Sequence, residues 1–360
     1  MPQTDLTEQQ RDLLQELICT RGPAGIEEEV AEVCERELRT SCDETWRDGL
    51  GNVIGLIKAE GAERNEASKK AVRIMAHMDE IALIVKRVYG EGQLRVIKLG
   101  GLLPLSFGQI PVDIIADKGV LPGILCIGSL HVTKETAHLN RQEPDRLDWE
   151  DVFIATRLTN EELAAKGVHA GTRVVVGQYM RRLFDFHDCI AGHFMDDRAL
   201  LVVGLETMKR IAEKKDQLKR DVYMTCTVKE EVTCEGALYA AKNLPGEDVI
   251  ALEVGPVAAE YDTKLCEQPI VLYGDMRGFY TRSLADELKR AAEAEGYRPQ
   301  LALFENFASD ATAIGSAGHA CRAGALCIST QNTHGFEIIH RGSIGAATAT
   351  LTRHLLTANG

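Results

Sequence analysis

The chain has 360 residues, 45% of them hydrophobic, and a net charge of −13. That length exceeds one ordinary core and predicts two domains, or one large domain with an insertion. The acid excess argues against nucleic acid and anionic membrane surfaces as partners, and no run reaches the roughly 18 uninterrupted apolar residues of a membrane span.

In chain order, the start MPQTDLTEQQRDLL is polar and lacks the basic and apolar regions of a secretory signal, so a cytoplasmic protein is expected. EQQRDLLQELICTRG has helical spacing, with Leu13, Leu14, Leu17 and Ile18 on one face, and GIEEEVAEVCERELRT repeats it with Val30, Val33 and Leu38. DGLGNVIGLIKAEG predicts a turn followed by a strand. KKAVRIMAH predicts a second strand, apolar on both faces as for a strand covered by helices. From about residue 86 short β-like runs are split by Gly and Pro, with one helix expected in TNEELAAKGV behind Thr159 as N-cap. From about residue 190 the pattern is a long helix (DDRALLVVGLETMKRIAEKK), a strand (DVYMTCTVKEE), a helix (EGALYAAKNL) and a strand (DVIALEVG). A helix (SLADELKRAAEAEG), a strand (AGALCIST) and a last helix (IGAATATLTRHLL) follow. Alternating strands and helices imply a layered α/β domain. The expected architecture is an α/β domain of residues 1–85 and 179–360 interrupted by a small all-β domain of residues 86–178. Ten scattered cysteines, none in a Cys-x-x-Cys pair, read as buried thiols rather than disulfides or a zinc knot.

Five places concentrate metal-capable side chains: AHMDE (His77, Asp79, Glu80), GHFMDDRAL (Asp196, Asp197), TVKEEVTCEGA (Glu230, Glu231), IALEVG (Glu253) and ISTQNTHGFE (His334, Glu337). Four follow apolar runs at expected strand ends, and the second opens a helix. Each has a bland reading: a structural His, an Asp N-cap, a solvated Glu pair, a paired buried acid, a loop His. Jointly they recur at the edge of the sheet where α/β sites form. Imidazoles and carboxylates are also the mix that binds zinc, cobalt or manganese. Two imidazoles and three carboxylates suffice for two metals sharing one bridging carboxylate.

The order His-x-Asp-Glu, Asp-Asp-Arg, Glu-Glu-Val, an acid after a strand and a late His resembles the glutamyl aminopeptidase family of co-catalytic metallopeptidases. That family includes the tetrahedral aminopeptidases and members described as cellulase-M-like. DGLGNVIG, the β segments and FASDATAI (Ser309, Asp310, Ala311) extend the resemblance over nearly the whole chain. It implies a three-layer α/β metallopeptidase that removes N-terminal residues from short peptides. Two divalent ions are implied, zinc first, with cobalt or manganese as alternatives. His77 and Glu253 would hold one metal, Glu231 and His334 the other, and Asp196 would bridge them. Asp79 would orient His77, Glu230 would be the general base, and Glu80 and Asp310 would support the ligands. Asp197 and Arg198 would cap and pair near the bridging acid. The resemblance also implies that the β insertion mediates dimers that build a homo-oligomer, a twelve-subunit tetrahedral shell.

The chain departs from the family pattern in three places. Glu253 stands where the family usually carries Asp. STQNTHGFE lacks the usual Arg-Tyr before the last His and the Ser after it, and its spacing to Glu337 is one residue short, with His340 as a weaker alternative ligand. EEVTCEGA replaces the commoner Gly-Leu-Arg-Gly after the paired acids. Glu253 motivates an alternative: a deacylase or carboxypeptidase on the same scaffold, acting on N-acyl or C-terminal substrates. A non-catalytic assembly protein, the reading from another class, predicts a broken ligand set, whereas all five ligand positions hold competent residue types.

Overall fold

The computed structural model describes residues 5–129 and 147–357; residues 130–146 of the expected insertion lie outside the described residues. Helix α1 (Glu8–Cys19) starts in a capping box between Thr7 and Gln10 and buries Leu13, Leu14, Leu17 and Ile18; α2 (Glu28–Arg39) follows. Strands β1 (Glu44–Arg47) and β2 (Val53–Ile57) meet at the DGLGN turn. There Asp48 Oδ1 accepts the backbone N–H of Leu50, Gly51 and Asn52. Asn52 accepts from Val228 N–H and donates to the Gly236 carbonyl, so the turn is tied to the site described below. After α3 (Arg64–Lys69) comes β3 (Val72–His77), buried at every position.

The next strands are β4 (Ala82–Tyr89), β5 (Gln93–Leu99), β6 (Pro111–Ala116), β7 (Gly119–Cys126), β8 (Phe153–Ala155) and β9 (Arg173–Val176), with α4 (Pro104–Phe107) and α5 (Asn160–Lys166) between them. The six strands close into a barrel in the order β4-β5-β8-β7-β6-β9, which leaves the barrel no free edge. A second core, including Leu83, Leu94, Ile114, Leu125 and Val174, fills it. As expected, Thr159 caps α5, in a capping box with Glu162.

The chain then returns through β10 (Phe184–Phe186), β11 (Cys189–His193), α6 (Met195–Ala212), β12 (Val222–Thr227), α7 (Glu230–Thr233), α8 (Glu235–Asn243) and β13 (Asp248–Pro256). It ends with β14 (Ile270–Asp275), β15 (Gly278–Phe279), α9 (Arg282–Ala294), β16 (Gln300–Leu303), α10 (Asp310–Ser316), β17 (Arg322–Gln331), β18 (Phe336–His340) and α11 (Ser343–Thr357). Twelve strands form one sheet, with a path β1-β2-β12-β3-β13-β17-β18-β11-β10 and β14 to β16 branching from β17. β12, β3, β13 and β17 are parallel. Apolar residues of α1, α2, α6, α9 and α11 join one core cluster, and those of α8 and α10 another, so helices cover both faces in three layers.

Two details differ from expectation. Glu230 and Glu231 open a one-turn helix instead of ending the strand DVYMTCTVKEE, because β12 stops at Thr227 and Lys229 turns the chain at φ 57. Glu253 lies inside β13, three residues before its end, because the strand continues its pairing with β17 to Pro256. The short strands β14 to β16 escaped the sequence reading, since brief apolar runs carry no decisive period. Among the described residues no helix is long and apolar enough to cross a membrane.

Candidate metal centre

Parallel β3, β12 and β13 deliver their C-terminal ends to one crevice, the usual place for a site in such a sheet. His77 ends β3. Its Nε2 lies 3.0 Å from Asp196 Oδ1 and 3.9 Å from Glu230 Oε2. The other oxygen of Asp196, Oδ2, lies 3.5 Å from His334 Nε2, which is 3.6 Å from Glu231 Oε2. Two clusters result, each with potential ligand atoms within 4.8 Å of one another: His77, Asp196, Asp197 and Glu253, and Asp196, Glu231 and His334. Asp196 is the member they share. Asp196 and Asp197, joined by a cis peptide, stand at the start of α6.

The surroundings hold these side chains in place. His77 Nδ1 lies 3.0 Å from the Asp79 carbonyl and 3.5 Å from the Asp79 carboxylate, which orients the ring. The same carboxylate accepts the backbone N–H of Glu230 at 2.8 Å and of Glu231 at 3.1 Å, so Asp79 also anchors the turn carrying both glutamates. Asp197 Oδ2 accepts the His77 backbone N–H at 3.0 Å. Glu337 accepts the backbone N–H of Asp196 through Oε2 and of His334 through Oε1, each at 3.0 Å. His334 Nδ1 pairs with the Gly101 carbonyl at 2.6 Å, and a Cβ at Gly101 would lie 3.0 Å from the imidazole. Beneath the site, Glu80 is fully buried between Arg181 and Arg198, and Arg198 also donates to the Met78 carbonyl.

The crevice concentrates acid. Burial, then repulsion from Asp197 and Glu230, pushes the Glu253 carboxyl well above its ordinary range. Burial also raises Glu230 well above that range, despite the opposing field of His77, and raises Glu231 to about 7. Burial draws His77 down, but Asp196 and Asp79 outweigh it and hold the imidazole well above its usual value. His334 behaves alike, reaching about 11 beside Glu231 and Asp196. Asp196, although buried, is held low by the two imidazoles. Asp197 Oδ1 and Glu231 Oε1 are buried without hydrogen-bond partners. Buried oxygens without donors, in a set of carboxylates and imidazoles, are the coordination chemistry of a divalent cation, so the residues fit one in each cluster. They open on a cleft of about 630 Å³ whose further walls include Tyr261, Met276, Arg277 and Phe307.

All seven residues singled out as ligands or catalysts meet here: His77, Asp79, Asp196, Glu230, Glu231, Glu253 and His334. His340 does not; it sits on β18 beside Asp188. Asp197 joins the first cluster in addition to its structural bond. The sequence reading gave Glu337 no role, and it missed Gly101 altogether. Gly101 comes from the barrel segment, and nothing local marks a backbone carbonyl as a partner for a histidine 233 residues away.

Residues 51–350 match the family of M42 glutamyl aminopeptidases. The chain is 26% identical over 289 residues to the lysyl aminopeptidase of Pyrococcus furiosus, covering 78% of each protein. Among solved structures it is similar to the TET aminopeptidase of Thaumarchaeota archaeon SCGC AB-539-E09, with a TM-score of 0.86, 22% identity and 98% and 97% of the two chains covered. It is also similar to the TET1 peptidase of Pyrococcus horikoshii, which assembles into a tetrahedron or a large octahedral shell; here the TM-score is 0.80 at 24% identity, with 96% and 99% covered.

Proposed function

The chain belongs to the M42 glutamyl aminopeptidase family and is a metallopeptidase, and on that premise we propose that it removes N-terminal residues from short peptides with two divalent cations and a glutamate base. His77, Asp196 and Glu253 would hold one ion, and Asp196, Glu231 and His334 the other. The observation that carries this reading is the division of Asp196, one oxygen toward each imidazole. Two such ions supply a lowered pKa for water and polarisation of the scissile carbonyl. The chain's own residues do the rest. Glu230 takes a proton from the attacking water and returns it to the leaving amine. Asp79 sets the positions of both Glu230 and Glu231 through their backbone N–H groups. The cleft walls receive the N-terminal side chain.

The barrel, whose strands run from Ala82 to Val176 and so begin four residues before the expected insertion of 86–178, is the proposed oligomerisation element of a homo-oligomer, a twelve-subunit shell. The assembly of the Pyrococcus horikoshii TET1 peptidase supports this. A cytoplasmic setting is supported by the ten free thiols. The longer Glu253 favours a second reading, a deacylase or carboxypeptidase on the same scaffold.

Short peptides with free and acetylated N-termini, assayed after loading with zinc, cobalt or manganese and read by mass, separate the two. Stepwise N-terminal loss from free peptides alone is the expected result. Cleavage confined to acetylated or C-terminal positions overturns it. Glu230→Gln keeps its metal content and loses about 10²–10⁴-fold in kcat.

A further inference from the structure

Two buried groups beside the proposed base belong to neither cation cluster. Cys234 is 1% exposed and Asp310 2%. Cys234 stands between α7 and α8 in a left-handed turn of φ 55. Its Sγ lies 3.5 Å from Glu230 Oε1 and 3.7 Å from the Glu230 carbonyl. Asp310 opens α10 behind the Ser309 cap. Its Oδ2 accepts the Thr227 hydroxyl at 2.7 Å, while Oδ1 is buried with no partner. The Cys234 sulfur and one oxygen each of Glu230 and Asp310 lie within 4.8 Å of one another, so one ion can touch all three. Glu230 therefore has two working sides: Oε2 approaches His77, and Oε1 approaches Cys234.

We propose that Cys234, Asp310 and Glu230 form a separate site for a soft divalent cation, zinc or cadmium, whose occupancy arrests the enzyme. The arrest rests on the reading of Glu230 as the base. Thiolate and carboxylate together are zinc ligands, and the sulfur selects against magnesium and manganese. On binding, the thiol proton leaves to solvent as the sulfur–metal bond forms; nothing is oxidised or reduced. A cation on Glu230 Oε1 withdraws charge from the whole carboxylate and lowers the basicity of Oε2, so Glu230 no longer takes the proton of the attacking water. Burial, then the charges of Asp310 and Glu230, push the Cys234 thiol up, so a cation there must displace a tightly held proton, and Arg277 on the cleft wall adds a like charge. The site accordingly fills after the two acid-rich clusters and works as a brake at metal excess, not as a third catalytic position.

The test is a cadmium titration of the active, metal-loaded enzyme, following peptide hydrolysis, bound cadmium and thiolate-to-cadmium absorption in the ultraviolet. The expected result is one further equivalent bound, with the absorption rising as activity falls. Cys234→Ser loses that absorption and, measured against its own cadmium-free rate, needs about tenfold more cadmium, or beyond, for inhibition. Cys234→Ala serves as the second variant, since it removes the hydroxyl as well. Absorption and inhibition unchanged in both variants put the cadmium on other thiols and overturn the proposal, as does the absence of a further equivalent. Absorption that depends on Cys234 but leaves activity untouched keeps the cation site and overturns the arrest. A protein that hydrolyses no peptide with any metal refutes the reading of the base instead, and the absorption still decides the site.

Discussion

At Asp196 a single carboxylate faces two imidazoles, and its own backbone N–H is fixed by Glu337. Glu337 grips His334 with its other oxygen, so one buried side chain sets the spacing between the shared acid and the second imidazole. Burial raises its carboxyl to about 8. Glu337→Gln exchanges one of the two accepting oxygens for a donor, which cannot receive a backbone N–H. We expect metal affinity to fall about 10–100-fold, with the fold retained. Equilibrium dialysis against zinc checks this, and unchanged affinity would show that the spacing is set elsewhere. His77, Asp196 and the paired glutamates were legible as chemistry because acids and imidazoles at the ends of apolar runs are costly to bury without a use. Glu337 was noticed but had no readable task. Its partners are backbone N–H groups, which every residue offers alike.

At the scale of elements, the turn after β3 is pinned by the Glu80, Arg181 and Arg198 triad, which joins three distant parts of the chain. Arg181 also donates to the carbonyls of Val176, Ile18 and Thr20, tying the end of the barrel segment to α1. Glu80→Ala would leave two guanidiniums buried without their anion, at a cost of about 3–5 kcal/mol. Denaturant unfolding at neutral pH measures it; a loss below about 1 kcal/mol would mean that water relieves the charge. Helix α11 carries a different sensitivity. Burial, with the nearby Arg220 and Arg322 opposing Asp248, pulls the His354 imidazole down to about 3. Its folded-state pKa is thus below its unfolded value of 6.5, and unfolding takes up a proton between those limits. The stability it contributes is complete above about pH 6.5 and is lost as pH falls toward 3, with a slope approaching about 1.4 kcal/mol per pH unit. In His354→Gln the acid limb of a profile of unfolding free energy against pH should be shallower by that slope. An unchanged limb would assign acid sensitivity to other groups.

For the whole molecule, the large sheet brings its own strand ends together, and the barrel reaches over them to contribute the Gly101 carbonyl to His334. Cations bound only in the folded chain stabilise it by mass action, about 2.7 kcal/mol per site at one hundred times the dissociation constant. Chelation should therefore lower Tm, and zinc should restore it in a concentration-dependent way; a Tm indifferent to both would mean that the crevice holds no structural charge debt. The sequence by itself determined the layered α/β class, the β segment that interrupts it and the residue types of the metal-capable set. Hydrophobic period, turn chemistry and the rarity of buried acids are local properties. Only the tertiary structure decided that Asp196 sits between two imidazoles, that His340 stands apart, that Asp79 holds the glutamate turn and that Cys234 faces Glu230. Those are relations between strand ends far apart along the chain, set by sheet register and packing, and no local period encodes them.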